Sequence, residues 1–328
     1  MSGPGYGPPA AVKPSGAVRA HAGAILVLAL LAAACGGRPS VARDTQAACE
    51  ESEVLGQLWD GLAEASGIAR DPRRPDLFWL HNDSGNEAAL YAVDAEGRLR
   101  ARVPVFGTAN RDVEDIAVAR CEGGWCLWLA DIGDNAGVRL FVEVHRLPLP
   151  PLPTVPVGAQ ASGSEPVHPL ATYTLVYPDG ARDAESLVVD AGRRELLIVT
   201  KGRDGVVSVY AAGLDTLEAA HQPVPLQRLG RLPIPTGGSS AQLVTAADLS
   251  PDGTRLAVRS YAALYLFPWA GTEAFDSLTT PASSSLLGLL EPQGEGLAFG
   301  DDGEQVYLAS EARDERPPQL SRILCPAR

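Results

Sequence analysis

The chain reads Glu114-Asp-Ile-Ala117 at one point, and four similar short segments recur before and after it. The other copies are Ser66-Gly-Ile-Ala69, Glu185-Ser-Leu-Val188, Ala247-Asp-Leu-Ser250 and Glu295-Gly-Leu-Ala298. Successive copies lie about 45–70 residues apart, and each is followed by a turn and a second apolar segment. The repeat predicts a chain built from five copies of one structural unit.

Each unit contains short apolar segments separated by Gly, Pro, Asp and Asn, with little helical periodicity, which is typical of β-strands joined by turns. Fourth segments are expected near residues 100–105, 172–177, 227–232 and 285–290. Four-stranded units repeated in this way predict an all-β protein, a β-propeller with blades set radially around a channel. A β-sandwich is the alternative, but it does not predict the same strand opening five times.

The blade count depends on one long interval. Five blades follow from the five copies, but the interval from Ile116 to Leu187 includes a Pro-rich insert, residues 147–167, and leaves room for a sixth. The last unit has three clear strands, and residues 53–58 can supply its fourth. A ring closed by strands from both ends has no exposed edge.

The cysteines support an oxidising compartment. Besides Cys35, four cysteines remain, and an even number suggests two disulfides. The short Gly-containing spacer of Cys121–Cys126 suits a bridge across a hairpin, which pairs Cys49 with Cys325 at the ends of the propeller. Four thiolates on zinc are the alternative, but the paired C-x-x-C spacing of such sites is missing.

The N-terminal region has the features of a bacterial lipoprotein signal. A short apolar run, residues 24–34, follows a few basic residues and ends in small residues before Cys35. Leu31-Ala-Ala-Ala-Cys35 resembles the bacterial lipobox, with its Leu one position early. We expect a signal peptide at 1–34, lipid such as palmitate on Cys35, a tether at 35–50 and one propeller domain at 51–328. An ordinary signal with an incidental cysteine is the alternative.

Composition limits location and partners. The net charge of −13 argues against nucleic acid and anionic lipid as main partners. Gly36 replaces the Asp that commonly retains lipoproteins at the inner membrane, so we expect the cell envelope, at the outer membrane or periplasm. The expected partners are the membrane, through acylated Cys35, and a small molecule, glycan or envelope protein. We expect a monomer.

Several motifs occur in a familiar order. They are His81-Asn-Asp-Ser-Gly-Asn86, Asn110-Arg-Asp-Val-Glu-Asp-Ile-Ala117, Asp131-Ile-Gly-Asp-Asn135 and Asp183-Ala-Glu-Ser-Leu187. The set resembles a group of exported bacterial β-propeller proteins described as esterase-like or phytase-like, over roughly residues 60–310. Val113 stands where the group usually has an aromatic residue. The resemblance implies the propeller, while a fold alone does not fix an activity.

A propeller brings the repeated segments together at one mouth of its channel. They place Ser66, Glu114, Glu185, Ala247 and Glu295 around that mouth, and the ends of the second strands add further polar groups. The predicted ligand pocket contains Asn82, Asp83, Glu114, Lys201, Glu295 and Glu311.

Carboxylates crowded in one funnel need protons or a cation, and hard oxygen ligands suit Ca²⁺. The predicted metal site consists of Glu114, Asp115, Asp131, Asp134 and Asn135, together with Asn82 and Asp83. The alternative is that these Asp and Asn residues only shape turns.

Two functions of different classes follow. One is a binding protein whose cation orders the channel mouth. The other is a metal-dependent esterase, lactonase or phosphatase in which His81 or Glu185 acts as base. His81 can equally be a hydrogen-bonded structural residue, and Lys201 can simply neutralise Glu185. A purely structural envelope protein is a third alternative. The chain has neither the G-x-S-x-G nor the H-E-x-x-H motif.

Overall fold

A computed structural model describes residues 49–50, 52–151 and 164–327. The predicted signal peptide 1–34, Cys35, the tether up to residue 48 and the central part of the Pro-rich insert lie outside these residues. The described strands form five sheets, each a mainly antiparallel blade of four strands, one of them extended by a fifth. The fold is all-β, as the turn-separated apolar segments predict.

The strands follow one another blade by blade. The first strand is β1 (Ser52–Gln57), and blade 1 contains β2 (Ala65–Arg70), β3 (Leu77–Asn82), β4 (Ala89–Asp94) and β5 (Leu99–Pro104). Blade 2 contains β6 (Val113–Cys121), β7 (Gly124–Asp131), β8 (Val142–Pro148) and β9 (Ala171–Val176). Blade 3 contains β10 (Ala184–Asp190), β11 (Glu195–Thr200), β12 (Ser208–Gly213) and, after β13 (Val224–Pro225), β14 (Gln227–Arg231). Blade 4 contains β15 (Val244–Leu249), β16 (Arg255–Ser260), β17 (Ala263–Pro268) and β18 (Ala282–Ser285), and blade 5 contains β19 (Gln293–Phe299), β20 (Gln305–Glu311) and β21 (Gln319–Leu324).

Helices are few and short among these residues. The α-helix α1 spans Leu214–Ala219, and single 3₁₀ turns span Asp60–Leu62, Ser240–Gln242, Thr272–Ser277 and Leu287–Leu289. β13 pairs in parallel with β9 and so extends blade 2 from the following blade. None of the helices in the described part of the chain is long and apolar enough to cross a bilayer.

The first strands of the five blades form the wall of the channel. Each contacts its two neighbours, in the cyclic order β2, β6, β10, β15, β19 and back to β2. The five-bladed β-propeller is therefore confirmed. The interval that left room for a sixth blade supplies β7, β8 and β9 to blade 2 instead, within the residues that the structure describes.

Strands from both ends of the domain close the ring. β1 pairs with β21 and completes blade 5 in the order β1, β21, β20, β19, as predicted. The Cys49–Cys325 disulfide ties these two strands together, and the Cys121–Cys126 disulfide bridges the β6–β7 hairpin. Both predicted pairings are confirmed.

The apolar core lies between neighbouring blades. Blade strands are buried on both faces, so their sequences are continuous apolar runs rather than alternating ones. Trp79 packs between blades 1 and 2, and Trp128 between blades 2 and 3; both are almost fully buried. The fold thus fixes the angle between blades through side-chain packing, and the polar residues at the strand ends are left to line the channel mouths.

One strand lies earlier than the sequence predicted. The expected fourth strand of blade 4 at residues 285–290 is β18 at Ala282–Ser285, followed by the 3₁₀ turn Leu287–Leu289. Leu286 and Leu289 are buried in the apolar core between blades 4 and 5 and Leu290 is exposed, so this leucine run packs against the core as a turn and not as a strand. A short apolar run cannot be assigned to strand or turn by composition alone.

Candidate functional site

A β-bulge occurs at the same point in every channel-lining strand. In blades 2 to 5 the extra residue is Glu114, Glu185, Thr245 or Glu295, and in blade 1 the register shifts within residues 65–68. A bulge re-aims the side chain of its extra residue. Three glutamates therefore occupy equivalent positions around the ring.

In the fourth copy of the repeat the bulge lies two residues earlier than the alignment of Ala247 with Glu114 predicts. Thr245, and not Ala247, occupies the bulge of blade 4, and its hydroxyl donates to the Gly294 carbonyl at 3.0 Å. The Ser66 hydroxyl in blade 1 donates likewise to the Glu114 carbonyl at 2.7 Å. Ala247 is buried in the apolar core between blades 3 and 4. The two hydroxyls therefore link neighbouring blades where the other blades carry carboxylates.

Carboxylates from three adjacent blades meet at the channel mouth. One oxygen each from Asp83, Asp112 and Glu114 lie within 4.8 Å of one another, and so do oxygens of Glu114, Asp183 and Glu185. Glu114 belongs to both groups and is only 5% exposed. We call these five residues the acidic cluster. The predicted convergence of Glu114 with Glu185 and Asp83 is present in the structure.

A buried lysine compensates part of this charge. The Lys201 amine donates to Glu185 Oε1 at 2.5 Å, and both side chains are buried. Burial lowers the pKa of Lys201, but the carboxylates of Glu185, Glu295 and Glu114 outweigh burial and leave it above its ordinary value. Lys201 therefore stays charged and lies within the field of all three bulge glutamates.

The remaining predicted pocket residues line the same mouth. Glu295 accepts hydrogen bonds from the Tyr261 hydroxyl at 3.0 Å and from Gln293 Nε2 at 2.7 Å. Glu311 follows at the end of β20, where burial and then the charges of Glu295 and Asp83 raise its pKa to about 8. The charges of Glu295 and Asp83 therefore act on the carboxyl group of Glu311.

Burial and mutual repulsion raise the pKa of the glutamates above its ordinary value. Burial, then Glu185 and Asp83, raise the pKa of Glu114 well above its ordinary value. Burial raises the pKa of Glu185 to about 8, while Lys201 opposes the shift and Glu295 adds to it. Carboxyl groups in such an arrangement are stabilised either by protons or by a cation bound among them.

Asp115 was predicted to bind metal, but its carboxylate is engaged in joining blades. It accepts hydrogen bonds from the amide of the next residue and from the Leu187 amide of blade 3, each at 2.8 Å. Asp248 does the same between blades 4 and 5, accepting from the next residue at 2.7 Å and from the Phe299 amide at 2.8 Å. Because both oxygens of each carboxylate are occupied, this geometry indicates a structural clamp between blades.

The other predicted ligands also have different partners. Asp131 pairs with Arg139 at 2.6 Å, and Asp134 accepts from the Arg139 amide at 2.7 Å. Asn135 accepts from Arg203. The structure therefore does not gather Asp131, Asp134 and Asn135 with Glu114 into one ligand set, and their assignment as metal ligands has no geometric support at the mouth.

Asp112 and Asp183 are cluster members that the predicted ligand sets do not include. A repeated Asp-x-Glu spacing, Asp112-Val-Glu114 and Asp183-Ala-Glu185, was the signal that could have revealed them. Asp183 is held in place by the Asp134 amide at 3.0 Å. Arg203 Nε pairs with the other oxygen of Asp183 at 2.5 Å. Each bulge glutamate in blades 2 and 3 thus has an aspartate beside it.

Gly133 explains why the Asp131-Ile-Gly-Asp-Asn135 motif needs glycine. A Cβ atom at this position would collide with Glu114 Oε1 and would lie 2.6 Å from Asp112 Oδ2. The backbone of the motif therefore forms a wall against which the two carboxylates pack. Because Gly133 has no side chain, it leaves the space that the carboxylates of Glu114 and Asp112 occupy.

Both ring nitrogens of His81 form hydrogen bonds with backbone groups. Its Nε2 accepts from the Gly67 amide and its Nδ1 donates to the Asn82 carbonyl, each at 3.0 Å. Burial lowers the pKa of His81 to about 4. Asn82 in turn donates from Nδ2 to the Gly61 carbonyl at 2.8 Å. This geometry favours the structural interpretation of His81, and its role as a base stays a prediction.

Comparison with known proteins adds little to this description. The chain matches no protein-family model and no curated protein. One similar solved structure is the crystal structure of a nidogen/laminin complex, with 13% identity, a TM-score of 0.41 and coverage of 76% of this chain and 73% of that one. So distant a likeness says nothing about activity.

Proposed function

We propose that this protein is an exported, lipid-anchored β-propeller that binds a ligand or partner through a divalent cation at its channel mouth. Ca²⁺ is the expected ion, because the ligands are hard carboxylate oxygens. The observation that carries the proposal is the position of Glu114, which is almost completely buried and belongs to two carboxylate groups at once.

The two carboxylate groups that share Glu114 differ in the ion pairs they form with basic side chains. Lys201 pairs with Glu185, and Arg203 pairs with Asp183. In the described part of the chain, no lysine or arginine forms an ion pair with Asp83, Asp112 or Glu114. Carboxylates that lack a direct ion-pair partner attract a cation most strongly. We therefore place the ion among Asp83, Asp112 and Glu114, with the Lys201–Glu185 pair beside it.

A cation at this place would leave coordination positions open toward the channel mouth. Those positions would accept an anionic or carbonyl oxygen from a small molecule, a glycan or an envelope protein. The side chains of Tyr261, Glu311 and Lys201 surround the same opening and would contact the bound group. The two disulfides support export to an oxidising compartment.

Calorimetric titration of the full chain with Ca²⁺ tests the cation. Saturable binding is expected in the wild type, and Glu114→Gln should weaken it at least about tenfold, since one lost charged ligand costs more than about 1.4 kcal/mol. Asp301→Asn is the matched control, because Asp301 is an exposed acid outside the cluster. An absence of binding at millimolar Ca²⁺, or equal binding by Glu114→Gln, would remove the cation from the proposal.

Hydrolysis of an ester, lactone or phosphate ester is the second candidate function. Glu311 favours it, because a mouth carboxyl with a pKa of about 8 can exchange a proton near neutral pH. Assays with lactone, aryl-ester and phytate substrates, with and without Ca²⁺, separate the two functions. Turnover that Glu311→Gln abolishes would favour the enzyme, and no turnover on any substrate would favour binding.

The lipid anchor has its own test. Incorporation of labelled palmitate and recovery in the membrane fraction are expected for the wild type, since acyl chains supply membrane affinity in proportion to their buried CH₂ groups. Cys35→Ser should lose the label and appear in the soluble fraction. Membrane recovery of unlabelled Cys35→Ser would show that another part of the protein carries the attachment.

A further inference from the structure

A second polar group lies on one face of blade 2. Asp131 ends β7 and pairs across the sheet with Glu143 of β8, and Leu129 pairs with His145. Alternate residues of a strand point to the same face. Leu129 and Leu147 on that face pack in the core between blades 1 and 2. Asp131, Glu143 and His145 therefore project together toward blade 1.

The three side chains are close enough to share one ion. One ring nitrogen of His145 and one oxygen from each carboxylate lie within 4.8 Å of one another. Asp131 is 1% exposed and His145 is 4% exposed, whereas Glu143 is half-buried. The group is thus mostly shielded from water, with Glu143 on its accessible side.

His145 supplies an observation that does not depend on the clustering of acids. Its Nδ1 lies 2.9 Å from the Thr172 hydroxyl, while its Nε2 is buried and has no hydrogen-bond partner among the residues that the structure describes. A buried polar atom without a partner is costly. Metal-binding histidines use one nitrogen for the ion and orient the ring through the other, which is the role available to Thr172 here.

We propose that Asp131, Glu143 and His145 bind a divalent transition-metal ion, with Zn²⁺ preferred, through His145 Nε2 and one oxygen of each carboxylate. A mixed imidazole and carboxylate set suits Zn²⁺ and its neighbours in the first transition series, whereas Ca²⁺ takes oxygen ligands only. All four cysteines of the propeller are in disulfides, so no thiolate competes for the ion. This site is separate from the acidic cluster and does not depend on the proposed function.

Arg139 limits how tightly the ion is held. Its guanidinium already pairs with Asp131 Oδ1 at 2.6 Å, which leaves Oδ2 for the metal and offsets one of the two carboxylate charges. Three protein ligands also leave a coordination position for water or a ligand. We therefore expect affinity in the micromolar range and an exchangeable ion rather than one required for folding.

Titration of the chelator-treated full chain with Co²⁺ and Zn²⁺ tests this site. The Glu114→Gln background weakens cation binding at the acidic cluster, so that binding to the group in blade 2 dominates the measurement. Co²⁺ should give visible absorption bands with one equivalent bound, and His145→Gln should weaken binding more than tenfold. His221→Gln is the matched control because His221 is exposed and far along the chain from the group, and it should bind as the parent does.

A second variant keeps the test valid if His145→Gln does not fold. Glu143→Gln replaces a half-buried carboxyl by an amide of the same shape, and it should weaken Zn²⁺ binding about tenfold without changing the unfolding midpoint. X-ray absorption of the Zn²⁺-loaded protein should show one imidazole among oxygen ligands. Binding that is equal in the parent and Glu143→Gln, or a zinc spectrum without imidazole, would overturn the proposal.

Discussion

The amine of Lys201 lies 2.5 Å from the carboxylate of Glu185 inside the channel mouth. Glu185 occupies the bulge of β10, and Lys201 directly follows the neighbouring β11. The bulge re-aims Glu185 toward the channel, where the end of β11 places the lysine. The pair therefore depends on the same backbone irregularity that positions the other glutamates.

At pH 9, above the pKa of about 8 of Glu185, Lys201→Met should destabilise the protein by about 3–5 kcal/mol, because it leaves a buried carboxylate without its partner. The double variant Lys201→Met with Glu185→Gln should recover most of that loss, since neither group is then charged. Urea unfolding curves give both values through the shift in midpoint at unchanged slope. If the double variant is no more stable than Lys201→Met alone, the pair does not account for the loss.

The fold could be predicted because the repeat consists of apolar segments whose spacing is recognisable in the sequence. The site could be predicted only in part, since a bulge displaces one residue from the regular alternation without leaving a sequence signal. The apolar spacing alone therefore aligns Ala247 with Glu114, although Thr245 holds the equivalent position.

The sequence also does not reveal which residues pair across neighbouring strands. Asp131 begins the motif that contains Asp134 and Asn135, so proximity in sequence groups the three residues, whereas the β7–β8 register places Asp131 opposite Glu143. Strand register depends on which faces are buried, and buried blades have apolar residues on both faces. The sequence therefore indicated which residues are acidic at the strand ends, but not which of them meet.

Removing the ring-closing disulfide should cost more stability than removing the hairpin disulfide. The first joins residues 276 positions apart and the second joins residues 5 apart. The entropy lost by the unfolded chain on closing such loops corresponds to about 5.6 and about 2 kcal/mol. Paired Cys→Ser variants, C49S/C325S and C121S/C126S, can be compared by denaturant unfolding. Equal losses would show that the unfolded chain is not the main source of the effect.

Gly296→Ala should destabilise the junction between blades 5 and 1. A Cβ atom at Gly296 would lie 2.6 Å from the Ser66 carbonyl oxygen, and backbone cannot move aside cheaply. Overpacking of this kind costs about 1–3 kcal/mol. Gly288→Ala is the matched control, because no atom lies within 4 Å of a Cβ built there. Thermal unfolding should separate the two variants, and similar midpoints would contradict the close packing of the junction.

His81→Ala should act on stability rather than on chemistry. It leaves the buried Gly67 amide and Asn82 carbonyl without their partner, and each such group costs about 1–3 kcal/mol. The exposed His221→Ala is the control and should change stability by less than about 0.5 kcal/mol. If hydrolysis is detected, its rate per folded molecule should be unchanged in His81→Ala. A stable but inactive His81→Ala would instead support the catalytic role.

Asp248 should make stability fall as pH rises from about 4 to about 7. Burial raises its pKa from the ordinary 3.8 to about 6 in the folded protein, although the amides of Leu249 and Phe299 oppose the shift. The folded state therefore binds the proton more tightly than the unfolded state does. The contribution of this proton to the free energy of unfolding is complete below pH 4 and is lost as pH rises through 6.

The loss amounts to about 3 kcal/mol, since each pKa unit corresponds to 1.36 kcal/mol. Other groups titrate over the same range, so the test is the difference in unfolding free energy between the wild type and Asp248→Asn, measured from pH 4 to 7.5. That difference should move in favour of the variant as pH rises. Asp252→Asn should run parallel to the wild type above about pH 5, because hydrogen bonds from Ser250 and Thr254 hold the pKa of Asp252 below its ordinary value of 3.8. A constant difference for Asp248→Asn would show that this clamp between blades 4 and 5 is ionised throughout, as two amide donors alone would make it.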